Sequence, residues 1–203
     1  MSAVHTTREE IIQKGAELIH LKGYNATGLQ EILSRSGVPK GSFYFYFKSK
    51  EDFGLEIIDH FASVIGGFFT RFLGDTSMPP LRRLERLMEF YESLFKKSGF
   101  SLGCPIGNLA LELADVNDRF RKRITAAVDM LLSYIMSCLE EAKHDGSLPP
   151  GTEIHDAARF IFHGFEGAVL HMKVAKSLEP LQSFKRYMAD YLKFPPESKR
   201  RNN

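Results

Sequence analysis

Apolar residues recur every three or four positions along almost the whole chain, which is the spacing of amphipathic helices. The first such segment, TTREEIIQKGAELIHLKG, places Ile12, Ala16 and Ile19 on one face and stops at Gly23. Similar segments follow through most of the chain, and no stretch shows the strict alternation of a half-buried strand. The pattern predicts an all-α protein.

The first predicted helices are short and separated by tight turns. The second follows Thr27, a good N-cap residue, and Pro39 stands where a third would begin. Helix, brief turn and helix at this spacing is typical of a DNA-binding helix-turn-helix, whose second element enters the major groove. We therefore predict a three-helix DNA-binding domain over residues 1–50, a helical body over 51–195 and a disordered tail over 196–203.

A dense aromatic run, SFYFYF, falls inside the third predicted helix. On a helix Phe43 and Phe47 lie about one turn apart and can share a buried face, while Tyr44 and Tyr46 point elsewhere. The two tyrosine hydroxyls are then available to phosphates or base edges. The run is therefore expected to supply both packing and contact surface to the small domain.

Charge and composition agree with a nucleic-acid contact made by the N-terminal domain. Residues 1–50 hold 7 Lys and Arg against 4 Asp and Glu, which gives +3, and the rest hold 20 against 21, which gives −1. A difference this small also arises by chance. The sequence shows no signal peptide, no apolar run of membrane-spanning length and no metal-ligand spacing. We expect a cytoplasmic protein with no membrane contact, no cofactor and no metal.

Three motifs carry a specific resemblance: GYNAT at 23–27, LQEILSRSGVPKGSFYFYF at 29–47, and the KSKEDF that follows. Together, over about residues 7–55, they resemble the TetR family of bacterial transcriptional regulators. The resemblance implies a C-terminal helical ligand-binding and dimerisation domain, a homodimer and a palindromic operator of double-stranded DNA. The chain departs from the family at one place, because members often carry His at the position of Phe45 or Tyr46.

Eight residues are expected to contact DNA: Thr27, Gln30, Lys40, Gly41, Ser42, Tyr44, Tyr46 and Lys50. Thr27 starts the second helix, where its hydroxyl and the free N–H groups can meet a phosphate. By resemblance Gln30 and residues 40–42 reach into the groove, with Lys40 donating to guanine edges, and the two tyrosines and Lys50 hold phosphates. The alternatives are a solvated helix entrance for the lysines and half-buried packing for the tyrosines.

The last two helices, about residues 154–175 and 180–193, are expected to form the dimer, mainly by resemblance. Small residues would allow close approach: Ala157, Ala158, Gly164, Gly167 and Ala168. The apolar residues expected on the contact face are Phe160, Ile161, Phe165, Val169 and Met172. The same side chains are also typical of a core.

Ten residues are candidate effector contacts: Phe68, Phe72, Phe90, Cys104, Asn108, Glu112, Tyr134, Phe162, His163 and Glu166. Aromatic side chains with few polar groups are typical of a pocket for a small apolar ligand, although each alone is also typical of a core. The stretch GCPIGNLALELAD at 103–115 resembles a branch of the family that includes repressors sensing reactive electrophiles and acrylate-like molecules, which implies that Cys104 lies near the effector.

The two cysteines are expected to differ. Cys104 precedes Pro105 and should occupy a helix N-cap, where the helix dipole and free N–H groups lower the pKa of a thiol. The alternative for Cys104 is a small buried hydrophobe. Cys138 falls in the middle of a predicted helix and is expected to be an inert core residue.

Three functions fit these observations. The first is a transcriptional repressor that a small-molecule effector releases from its operator. The second is a thiol-dependent enzyme in which Cys104 pairs with His163 or His171, and the third is a DNA-binding protein without an effector. The resemblance favours the first and predicts that the chain is not an enzyme.

Overall fold

The computed structural model describes residues 7–193, except for the side chain of Lys40. This part of the chain folds into nine α-helices and contains no strand, which confirms the all-α prediction. The helices are α1 Thr7–Lys22, α2 Leu29–Ser36, α3 Lys40–Tyr46, α4 Lys50–Leu73, α5 Pro80–Lys97, α6 Pro105–Leu113, α7 Asp118–His144, α8 Ile154–Ala175 and α9 Glu179–Lys193. The predicted tail at 196–203 lies outside the described residues.

The chain divides into two compact units. The first unit is the described part of Met1–Val64 together with Cys104–Val128. The second unit is Ile65–Gly103 together with the described part of Asp129–Asn203. This division differs from the predicted boundary after residue 50, because α6 and the start of α7 pack with the N-terminal helices into one unit.

Aromatic rings form the centre of the first unit. Phe43 and Phe53 have no exposed surface, and the ring centroids of Phe43 and Phe47 both lie within 5.6 Å of that of Phe53. Helix α1 packs against this cluster at Gly15, where an added Cβ would lie 2.3 Å from Cζ of Phe53. A residue larger than glycine at position 15 would therefore displace the central ring.

A buried arginine organises the second unit. Arg83 on α5 is 4% exposed, and its guanidinium donates to the carbonyl of Leu73 at 3.0 Å and to Oε2 of Glu141 at 2.7 Å. Its Nε donates to a further backbone carbonyl at 2.8 Å. Since a buried charge is stable only when it is paired and hydrogen-bonded, these contacts hold the end of α4, the start of α5 and α7 together.

Helix α8 buries one apolar face and exposes another. The buried residues include Ile161, Phe165, Val169 and Met172. The prediction that these four lie on a dimer face is therefore wrong, because they form the core of the second unit. The exposed face carries residues spaced alternately three and four positions apart, which we call the α8 stripe: Phe160, His163, Gly167, Leu170 and Val174.

Helix α4 is long and apolar. Among the helices of residues 7–193 it is the one whose length and composition would allow a membrane crossing. Of its most apolar 18-residue window, however, 56% is buried inside the protein. It therefore serves as a core helix.

Candidate functional site

Helix α3 has a buried face and an outward face. Phe43 and Phe47 are buried, whereas Tyr44 is 56% and Phe45 82% exposed. Tyr46 is half-buried, and its ring meets that of Phe45 edge to face at 5.0 Å between centroids. The structure thus confirms that the two outer phenylalanines of the run pack inward while Tyr44 points away from the core.

The start of α3 leaves its backbone accessible. Pro39 is the N-cap, and Gly41 is exposed with open space where a Cβ would stand. Ser42 is half-buried, and Gln30 on α2 is exposed. The side chain of Lys40 lies outside the described part of the chain. DNA contacts by these residues remain predictions.

The turn between α1 and α2 is closed by internal hydrogen bonds. Gly23 has a φ of +89°, and its N–H donates to the carbonyl of Ile19 at 2.8 Å. Thr27 is fully buried, and its hydroxyl donates to the carbonyl of Gly23 at 2.7 Å. The N-cap of α2 is Gly28. The prediction that Thr27 caps α2 and offers its hydroxyl to a phosphate is therefore wrong, because the hydroxyl is buried in this turn.

Three contacts join Lys50 and Tyr24. The ammonium of Lys50 donates to the carbonyl of Tyr24 at 3.0 Å and lies 4.5 Å from the centre of its ring. In return the Tyr24 hydroxyl donates to the Lys50 carbonyl at 2.9 Å. Burial lowers the pKa of Lys50 and, with the nearby charge of Glu51, raises the pKa of Tyr24 to about 12. The ammonium of Lys50, which is predicted to hold a phosphate, is thus bound by Tyr24 within the first unit.

The carboxylate of Glu112, on α6, caps the same turn. Its two oxygens accept from the backbone N–H of Tyr24 at 3.2 Å and of Asn25 at 3.0 Å. An added Cβ on Gly23 would lie 2.3 Å from Oε1 of Glu112, so glycine is required both by the positive φ and by this close approach. Glu112 is a predicted effector contact, and its hydrogen bonds to a turn 87 and 88 positions away have no signal in the sequence.

Ion pairs join the start of α7 to α4. The guanidinium of Arg119 donates to Glu51 at 2.6 Å and to Asp52 at 2.8 Å, and the pKa of Asp52 is lowered chiefly by this hydrogen bond. Arg123 forms a further ion pair with Asp59. Exposed pairs contribute little stability individually, but together they fix the position of α7 along α4 within the first unit.

Cys104 occupies the N-cap of α6, as predicted. Its Sγ accepts from the N–H of Gly107 at 3.5 Å. Asn108 and Glu112 follow at intervals of four, so the three side chains lie along one face of α6. Cys104 is half-buried, whereas Cys138 is 1% exposed and burial raises the pKa of its thiol to about 12. The prediction that Cys138 is a core residue is confirmed.

Three predicted effector residues of the second unit form a half-buried aromatic cluster. The ring centroid of Phe90 lies 4.8 Å from that of Phe68 and 4.9 Å from that of Phe72. The ring of Tyr134 lies 6.0 Å from that of Phe69. The structure therefore brings Phe68, Phe72 and Phe90 together and places Tyr134 beside a different ring.

Phe162 and Phe69 line an apolar cavity of about 10 Å³ in the second unit. A cavity of this volume holds at most one water molecule and is too small for an organic ligand. Glu166 is half-buried. His163 does not share the environment predicted for it, because it is exposed on the α8 stripe. Among residues 7–193 no group of three potential metal ligands occurs.

Two family models match the chain. The model described as bacterial regulatory proteins, tetR family, matches residues 11–57, and that described as tetracyclin repressor-like, C-terminal domain, matches residues 80–188. The chain is 31% identical to the HTH-type transcriptional repressor DhaR of Mycobacterium sp. (strain GP1), over 87% of each chain. It is 33% identical to the transcriptional regulator AcuR of Cereibacter sphaeroides, over 88% of this chain and 81% of AcuR. The crystal structure of the reduced form of E. coli NemR matches with a TM-score of 0.85 at 27% identity, over 94% of this chain and 100% of that one.

Proposed function

Because the chain belongs to the TetR family of bacterial transcriptional regulators, we propose that it is a cytoplasmic repressor that binds a palindromic operator as a homodimer and is released by a small-molecule effector. The observation that carries this proposal is the outward face of α3, where Gly41, Tyr44 and Phe45 are exposed above a buried aromatic cluster. Members of this family are not enzymes, which excludes the thiol–imidazole alternative.

The DNA contacts are proposed on α2 and α3. Base edges would be met by Gln30, Lys40, Gly41 and Ser42, and phosphates by Tyr44 and Tyr46. Two observations support this arrangement: the excess of basic residues in the first fifty positions, and the bare backbone at Gly41. The internal roles of Thr27 and Lys50 support leaving both out of the set.

The dimer is proposed to form through the α8 stripe and the adjoining part of α9. Phe160, Leu170 and Val174 are 40%, 50% and 78% exposed, and Tyr187 on α9 is 68% exposed. Exposed apolar side chains along one helix face are typical of an interaction surface, and Gly167 in the middle of the stripe would let a second helix approach closely. A symmetric dimer presents two α3 helices, which together can read two half-sites.

Effector sensing is proposed at Cys104. The thiol is half-buried at the N-cap of α6, and Glu112 at the other end of the same helix holds the α1–α2 turn. Addition of the thiolate to an activated alkene would form a bond from Sγ to the β-carbon, and the α-carbon would take a proton from water. The added group would occupy the space beside the sulfur and weaken the hydrogen bond from the Gly107 N–H to Sγ. The first turn of α6 would then be displaced.

The test is binding to a labelled duplex of the DNA upstream of the gene, compared with a scrambled duplex at the same salt. We expect tight binding to the first duplex, and its loss after treatment with N-ethylmaleimide. Cys104→Ser should bind DNA equally well and resist the reagent, while Cys138→Ala, the matched control, should respond as the wild type does. Equal binding to both duplexes would contradict the repressor proposal, and release of Cys104→Ser would contradict the sensing site alone.

A further inference from the structure

Phe45 is the most exposed large apolar side chain in the described part of the chain, at 82%. We propose that Phe45 contacts the C5-methyl group of a thymine in the major groove and thereby selects the base pair at one position of each half-site. This inference rests on the proposed function and adds to it a residue that determines operator specificity.

The geometry of α3 places Phe45 at the tip of its outward face. Successive residues of an α-helix are rotated by about 100°, so Phe45 points away from the side on which Phe43 and Phe47 are buried. Gly41 lies one turn earlier on the same side, and open space surrounds the position of its missing Cβ. Gly41 therefore adds no side chain of its own to the side of α3 from which Phe45 projects.

The neighbours of Phe45 restrict how its ring can be used. Tyr46 holds it edge to face at 5.0 Å between centroids, so the ring has a packed neighbour on one side. Helix α3 contains no acidic residue, and Lys48 just beyond its end is exposed. No carboxylate of α3 itself therefore opposes a phosphate while the ring enters the groove.

The chemistry of the ring identifies its partner. A phenylalanine side chain neither donates nor accepts hydrogen bonds, so it cannot read a phosphate or a polar base edge. In the major groove the apolar group presented by a base pair is the C5-methyl of thymine. The ring would therefore add a preference for thymine at one position of each half-site.

The experiment begins with in vitro selection of duplexes by the full-length wild-type chain, which defines the half-sites. Each thymine of the selected duplex is then replaced by deoxyuridine, which removes the C5-methyl and leaves every hydrogen-bonding group in place. Dissociation constants are measured for the wild type, Phe45→Ala and Leu21→Ala. Leu21 on α1 is 62% exposed and is the matched control for losing an exposed apolar side chain from the same unit.

One thymine in each half-site is expected to respond. Uracil at that position should weaken wild-type binding roughly fourfold per methyl and leave the affinity of Phe45→Ala unchanged. Leu21→Ala should respond as the wild type does. The salt dependence of binding should be the same for Phe45→Ala and the wild type, because the ring neutralises no phosphate.

Two results would overturn the inference while leaving the repressor proposal intact. They are uracil effects of equal size in the wild type and Phe45→Ala, and selected half-sites that contain no thymine. Selection of no preferred sequence would refute the proposed function itself, and the inference with it. These results can be told apart because the selection tests the wild type alone and is completed before any variant is compared with it.

Discussion

Replacing Glu112 with alanine is expected to loosen the turn between α1 and α2. The substitution removes the acceptors for the N–H groups of Tyr24 and Asn25, now bound at 3.2 and 3.0 Å. Hydrogen bonds to a charged group contribute roughly 1.5–3 kcal/mol each. Since Glu112 is half-buried and Asn25 is exposed, we expect about 2 kcal/mol for the two bonds together, below the full sum of that range.

Amide hydrogen exchange measures this loss where it occurs. A reduction of about 2 kcal/mol in local stability corresponds to roughly 30-fold faster exchange at the amides of Tyr24 and Asn25. Glu85→Ala is the matched control, because its carboxylate pairs with Arg82 at 2.7 Å on the surface of the second unit. An exposed pair of this kind contributes little, so the control should leave the two amides unchanged.

The same variant separates chemistry at Cys104 from its consequence. In Glu112→Ala, mass spectrometry should still show an adduct on Cys104, but the adduct should change operator affinity much less than in the wild type. Unchanged exchange at both amides would refute the structural role assigned to Glu112. Full release of Glu112→Ala from DNA by N-ethylmaleimide would refute its part in transmitting the signal.

Two further substitutions test the turn and the proposed dimer. Gly23→Ala combines a φ of +89° with a Cβ 2.3 Å from the Glu112 carboxylate, and it should lower the free energy of unfolding by about 2 kcal/mol in thermal denaturation. Gly67→Ala, where a Cβ meets open space on α4, should not destabilise, and equal effects would contradict the argument. Val174→Asp introduces a charge on the α8 stripe and should shift sedimentation toward the monomer. Val64→Asp, at a 43% exposed site on α4, should not, and an unchanged Val174→Asp dimer would place the interface elsewhere.

Features fixed by local sequence were predictable. The helices follow from apolar spacing. Which aromatic residues of the run are buried and which are exposed follows from the period of a single helix, so Phe43 and Phe47 face inward as expected. The N-cap position of Cys104 follows from the proline after it, since proline is favoured in the first helical turn. Each of these depends on residues within a few positions of one another.

Features that depend on distant residues were not predictable. Glu112 lies 88 positions from Tyr24 in sequence, and Lys50 lies 26 from it, so the spacing of neither residue indicates the contact. Thr27 is a good N-cap by residue type, but its hydroxyl donates a hydrogen bond to the carbonyl of Gly23 in the preceding turn. Helix α8 has apolar residues on two faces, and packing within the second unit decides that Ile161 is buried while Val174 is exposed.

The size of the Glu112 contact suits the proposed release mechanism. Coupling between two sites in a protein is typically 1–3 kcal/mol, and a tenfold change in affinity is about 1.4 kcal/mol. The two hydrogen bonds, at about 2 kcal/mol, fall in this range.

Helix α6 rises about 1.5 Å per residue, so the cap at Cys104 and the carboxylate of Glu112 are roughly 12 Å apart along its axis. Movement of α6 as one unit would carry a displacement of its cap to Glu112, and bonds of 3.0–3.2 Å are lost beyond about 3.5 Å. A displacement of only about half an ångström at the cap, transmitted along the helix, would therefore release the turn that positions α2 and α3.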